Sequence, residues 1–174
     1  MNSNLKKNIL TAVMAAVISA TAPISITIPM SPVPITLATF SIYLTIYILG
    51  MKNGTISVLI YILLGACGAP VFNGWSGGAD KLIGPTGGYI IGYIFLALVS
   101  GYIIEKDYKN GIRTIIGFIV GTIVLYIFGT LWLKILLKVD FIKALFMGVV
   151  PFIFGDILKM ILAYIIGVKV KKWI

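Results

Sequence analysis

The sequence predicts an all-α integral membrane protein, one domain over residues 1–174 with six transmembrane helices, both termini cytoplasmic (N-in/C-in) and a pocket facing outward. Three observations predict it. Hydrophobic residues fill 60% of the 174 positions and charged residues only 11%, less than half of the roughly 25% that a soluble domain uses to cover its surface. Six apolar runs, near 9–25, 37–50, 54–69, 86–104, 112–133 and 144–168, are separated by polar or Gly/Pro punctuation. Cations gather at the ends of those runs, where they report topology. Six spans of about 20 residues use roughly 120 positions, so no soluble ATPase, receptor or enzyme domain fits.

The first run follows Lys6-Lys7 and carries Ala12, Ala16 and Ala20, a small residue at every fourth position that gives one helix face a flat strip for close packing. The same basic start with Ala20-Thr21-Ala22 also resembles a cleavable secretory signal. A signal has no use for such a strip, so the segment is expected to remain as a span.

Between the first and second runs, Ile28 to Thr36 contains Pro29, Pro32 and Pro34, which remove donors and hold the backbone extended. Unpaired carbonyls cannot face lipid, so this segment is expected at the interface or along a cavity, as a lid or pocket wall. With both termini inside, Lys6, Lys7, Lys52, Lys106, Lys109, Arg113, Lys169, Lys171 and Lys172 are cytoplasmic, and Lys81, Lys134, Lys138 and Lys143 are outside. Nine against four favours that orientation, and it puts the proline-rich segment and the 70–85 connection on the outer face.

That connection, Pro70 to Tyr89, offers Trp75 as an apolar lid surface and Asn73 as a group that both donates and accepts. At the start of the fourth run, Gly87, Gly88 and Tyr89 would let backbone N–H groups approach an anion at a helix N-terminus. The four-residue spacing of Gly84, Gly88 and Gly92, and of Gly117 and Gly121, also suits close helix packing. Tyr102, Tyr126, Trp132 and Trp173 read as interfacial anchors, Lys134 and Lys138 as snorkelling cations, and Cys67 as a small packing residue.

No histidine is present and Cys67 is the lone cysteine, which excludes zinc, haem and disulfide frameworks. The net charge of +9 does not indicate nucleic acid, because the cations sit at span ends rather than on one soluble face. The last run holds two ionisable residues, Asp156 and Lys159, whose spacing of three puts them on one helix face. Each charge near the bilayer centre costs about 2.5–3.5 kcal/mol on insertion scales. An ion pair that only fastens the bundle would use the same spacing. A polar pocket floor is the functional reading, and a proton relay would need further titratable groups.

Four motifs, Pro32-Val33-Pro34-Ile35-Thr36-Leu37-x-Thr39-Phe40, Gly65-Ala66-x-Gly68-x-Pro70-Val71-Phe72, Gly84-Pro85-Thr86-Gly87-Gly88-Tyr89 and Pro151-Phe152-x-x-Gly155-Asp156-x-x-Lys159, together resemble the BioY family. These are biotin-binding S components of energy-coupling factor vitamin importers, and the resemblance covers nearly the whole chain. It implies a multi-pass protein of a prokaryotic plasma membrane that captures biotin from outside. It further implies a separate transmembrane coupling protein, two ATPase subunits, and no cofactor or metal. Ala12, Ala16 and Ala20 match the strip that contacts the coupling protein in such components. Asp156, Lys159 and Asn73 would face the ureido ring, Gly87, Gly88 and Tyr89 the tail carboxylate, and Thr36 and Trp75 would complete the pocket. The opposite assignment places Lys159 on the carboxylate. Many relatives resembling this sequence carry glutamine where it has Ala38, which leaves Thr36 or Thr39 as the hydroxyls of the first outer loop. An S component for thiamine or riboflavin is the nearer rival. An intramembrane hydrolase lacks the histidine it would need as base or ligand.

Overall fold

The structure, a computed structural model, describes residues 3–108 and 110–173; Lys109, counted above among the inner cations, lies outside them. Helix α1 spans Ser3–Thr21, starting earlier than its apolar run because Lys6, Lys7 and Asn8 extend it as an exposed turn. It stops before Pro23, which cannot donate to the helix ladder. The proline-rich segment forms an antiparallel hairpin of β1 (Ser25–Ile28) and β2 (Ser31–Thr36). Ser25 pairs with Thr36, Ile26 with Ile35 and Ile28 with Ser31, with an irregularity between Ile26 and Ile28. The expectation of extended backbone is met, and pairing satisfies the polar groups that the two strands turn toward each other.

Helix α2 covers Ala38–Ala66, merging two of the six expected runs, and Gly50 interrupts it with φ 77° and ψ −173°. Residues Thr39 and Tyr61 would stand about 33 Å apart on one straight rod. They line a common cavity, and Gly54 packs against the Ile46 backbone. The chain therefore doubles back at Gly50, and the stretches 38–49 and 51–66 lie side by side. Both helix ends at this reversal are capped from elsewhere. Met51 N–H donates to Glu105 Oε1 at 2.6 Å, and the Tyr47 carbonyl accepts from Lys171 Nζ at 3.0 Å. Each charge matches the dipole of the helix end it touches.

A short helix, α3 (Asp80–Ile83), lies in the expected loop and leads to α4 (Gly87–Glu105). Helix α5 (Gly111–Leu137) opens on Asn110, whose side chain accepts from Arg113 N–H at 3.1 Å. The sixth run is broken. Helix α6 (Phe141–Gly148) is capped by Asp140, and α7 (Ile153–Lys171) follows after a turn containing Pro151, at a 45° bend. The described residues thus hold seven α-helices rather than six. Three of them, α2, α4 and α5, are long and apolar enough to cross a membrane, and α6 with α7 makes a fourth if counted as one bent span.

Packing follows the small residues. A Cβ on Gly88 or Gly92 would overlap Trp132 or Leu125 of α5, and one on Gly117 or Gly121 would press into Ile104 or Ser100 of α4. The close packing expected of these glycine rows is found between α4 and α5, except at Gly84, which lies before α4 and where a Cβ would meet only the carbonyls of Asp80 and Lys81. Hydroxyls fasten the other seams: Tyr43 with Thr122 at 2.5 Å, Ser57 to the Thr11 carbonyl at 2.8 Å, and Thr21 with Ser41 at 2.6 Å. Cys67 corrects its expected role: it is the exposed C-cap residue of α2, past the last packed turn, rather than a buried filler.

The left-handed φ of Gly50 and the Glu105 carboxylate packed on it predict that Gly50→Ala lowers stability by about 1–3 kcal/mol. Gly155 has open space around a built Cβ, so Gly155→Ala should instead stabilise α7 by up to about 1 kcal/mol. Thermal unfolding of both variants in detergent measures the contrast.

Candidate functional site

The two intramembrane charges meet at the start of α7. The break at residues 149–152 gives α7 a helix N-terminus inside the protein, and Asp156 lies in its first turn, where the dipole favours a negative charge. One turn on, Lys159 Nζ sits 2.9 Å from Asp156 Oδ1. Both residues are buried, at 3% and 8% relative exposure. Burying two ions costs several kcal/mol each unless geometry and further hydrogen bonds compensate. Two neighbouring helices supply those bonds. From α2, Thr39 Oγ1 donates to Asp156 Oδ1 at 3.1 Å and accepts from Lys159 Nζ at 3.2 Å. From α5, the Tyr126 hydroxyl donates to Asp156 Oδ2 at 2.7 Å. Among the described residues no buried side-chain nitrogen or oxygen lacks a partner.

This cluster forms the polar floor of a chamber with about 570 Å³ of empty space, part of it open solvent. Tyr61, Phe72, Tyr93, Phe152, Ile90 and Leu125 build apolar walls, and Val33, Pro34 and Thr36 of β2 close one side. The proline-rich segment is thus a pocket wall, as its chemistry required.

Of the expected site residues, Asp156, Lys159, Asn73, Thr36 and Tyr89 line this chamber. Asn73 is held in its loop by Ser76 Oγ on its carbonyl at 2.8 Å, while Gly74 N–H ties the loop to Pro23 O at 3.0 Å. The Thr36 hydroxyl accepts from Ala38 N–H at 3.2 Å and so braces the start of α2. The Tyr89 hydroxyl donates to the Gly148 carbonyl at 2.7 Å, pinning α4 to the end of α6. Three expected residues lie off the lining. Gly87 and Gly88 are buried where a Cβ would strike Leu82 O and Trp132, and Trp75 is 64% exposed with a left-handed φ of 58°. At the opening of α4, the N–H groups of Gly87 and Tyr89 donate to the carbonyls of Gly84 and Thr86.

Tyr126 is misread from sequence. Instead of anchoring at the membrane interface, it turns inward onto Asp156, one turn from the buried Thr122 and three residues before the buried Gly129. The spacing of four and three from Thr122 through Tyr126 to Gly129 puts Tyr126 on one helix face with two buried small residues, and that periodicity is the signal that could have found it. Trp132 is also more than an anchor, since its indole N–H donates to Gly84 O at 2.9 Å. Tyr61, Tyr93, Phe152 and Thr86 are further lining residues that hydropathy alone does not distinguish from core. Among the described residues no cluster of metal-binding side chains occurs.

A self-satisfied ion pair beneath an aromatic-walled chamber, in an apolar helical bundle, defines a membrane-embedded receptor for a small molecule with both apolar and polar parts. The BioY family model matches residues 1–174, and the chain belongs to that family. It is 42% identical over 147 residues to a biotin transporter BioY of Thermotoga maritima, covering 84% of this chain and 86% of that one. It is 38% identical over 172 residues to biotin transporter BioY2 of Lactococcus lactis, covering 98% and 93%. The crystal structure of an S-component for biotin from an ECF-type ABC transporter superposes with a TM-score of 0.91 at 32% identity, over 99% of this chain and 95% of that chain.

Removing one partner of the pair leaves the other charge buried and unpaired. Lys159→Met should therefore destabilise the ligand-free protein by about 3–5 kcal/mol, and adding Asp156→Asn should recover most of that loss. Thermal unfolding in detergent provides the comparison, with equal losses for the single and double variants as the contrary result.

Proposed function

We propose that this chain is the biotin-binding S component of an ECF-type importer. The observation that carries the reading is the Asp156–Lys159 pair at the floor of the chamber. A ureido ring presents N–H donors beside a carbonyl acceptor, so one edge of it meets a carboxylate and an ammonium in complementary order. Asp156 accepts a ureido N–H, Lys159 donates to the ureido oxygen, and Asn73 contributes from the loop above. The fused ring and the alkyl tail fill the aromatic walls. The tail carboxylate stays at the rim beside the first turn of α4, where the Thr86 hydroxyl on the chamber lining serves as donor, with Gly87, Gly88 and Tyr89 shaping the turn. The thiamine and riboflavin alternatives gain no support from relatives that are themselves biotin transporters.

In this reading the apolar stretches α1, 38–49, 51–66, α4, α5 and α6 with α7 cross a prokaryotic plasma membrane six times. Both termini are cytoplasmic and the chamber opens outward beneath the hairpin and the Trp75 loop. Ala12, Ala16 and Ala20 are all exposed, while Thr11, Met14, Ala15 and Ile18 on the other side of α1 are buried. The alanine strip is thus unused within the chain, and it serves to dock on the transmembrane coupling protein, itself driven by two ATPase subunits. No bond of biotin is made or broken.

Asp156→Asn should weaken biotin binding in detergent calorimetry at least about tenfold, or 1.4 kcal/mol; unchanged affinity contradicts the floor assignment. Ala16→Trp should bind biotin normally yet fail to capture the coupling protein in a pull-down. Capture at wild-type level would remove the alanine strip from the interface.

A further inference from the structure

The floor of the chamber has a countable hydrogen-bonding capacity. A carboxylate offers about four acceptor positions and an ammonium three donors. Asp156 Oδ1 already accepts from Lys159 and Thr39, and Oδ2 accepts from Tyr126. Lys159 spends two of its protons, on Asp156 and Thr39. The ion pair therefore retains one acceptor position, on Oδ2, and one donor.

We infer that Tyr126 is a specificity-determining residue, which occupies half of Asp156 Oδ2 so that the pair reads one N–H and one adjacent carbonyl, the edge of a cyclic urea or amide. The inference rests on the biotin reading given above. Its geometry has two parts. Tyr126 comes from α5, whereas Thr39 and Lys159 approach from α2 and α7, so the carboxylate is held from both sides and its free position is confined to the chamber that Tyr126 itself lines. Without the phenol both positions of Oδ2 open, and that one oxygen becomes able to take two neighbouring N–H groups from a single ligand edge, as a guanidinium edge presents them. A ligand carrying two such N–H groups is disfavoured by the wild-type floor because its second N–H would meet the Oδ2 position that the Tyr126 hydroxyl already fills.

The probe is 2-iminobiotin, in which an imino nitrogen replaces the ureido oxygen and presents N–H groups where biotin presents an acceptor. Affinities of biotin and 2-iminobiotin for detergent-purified wild type and Tyr126→Phe are measured by competition against labelled biotin, with thermal midpoints recorded for both proteins. Wild type should prefer biotin strongly. Tyr126→Phe should shrink the ratio of the two affinities at least about tenfold, the loss of discrimination expected when one well-placed hydrogen-bonding group is removed. A purely structural role would weaken both ligands by the same factor, and that result, or an unchanged ratio, or 2-iminobiotin failing to gain on biotin in the variant, overturns the inference. A wild-type protein that binds neither ligand overturns the biotin reading itself, whereas binding with an unaltered ratio overturns the role of Tyr126 alone.

Discussion

An ammonium and a carboxylate held 2.9 Å apart inside an apolar bundle constrain every element around them. Both ions are buried from most of the solvent, so the chain must present donors and acceptors at fixed positions or leave several kcal/mol uncompensated. The break before α7 answers part of this need by turning a helix N-terminus toward Asp156. The start of α2 answers another part through Thr39, and the middle of α5 supplies Tyr126. Three helices distant in sequence converge on two side chains, and the chamber is the space left where they meet.

The opposite end of the bundle obeys the same rule with the backbone as the polar group. Reversal at Gly50 frees an N–H at Met51 and a carbonyl at Tyr47, and the chain answers with Glu105 from the end of α4 and Lys171 from the end of α7. Lys171 also lies over the rings of Tyr47 and Tyr108, at 5.1 and 4.3 Å from their centroids, which adds a cation–π attraction. Helix α7 is thereby tied to the 38–49 stretch twice, at Thr39 near the chamber and at Tyr47 near the reversal.

Much of this was legible in the residues. Hydropathy marked the apolar segments, three prolines marked an extended wall, and the spacing of Asp156 and Lys159 marked one polar face. Where the reading missed, the cause was an interaction between distant segments. Cys67 looked like core because it follows an apolar run, yet the helix ends there and leaves it exposed. Gly87 carries a packing constraint that composition does not show, because a Cβ there would strike the Leu82 carbonyl.

The sequence by itself determined the membrane class, the approximate apolar segments and the identity of the charged pair, because these depend on local composition, on proline's missing donor and on helical periodicity. Only the tertiary structure decided which residues surround that pair. Tyr126 reads equally well as an interfacial anchor or as a buried donor, and the choice depends on the rotation of α5 against α4, set by Gly117, Gly121 and the ridges they admit. Periodicity within residues 111–137 groups Tyr126 with Thr122 and Gly129 on one face, but rotation of a helix about its axis is a property of its neighbours, and they alone decide that this face meets a carboxylate on another helix.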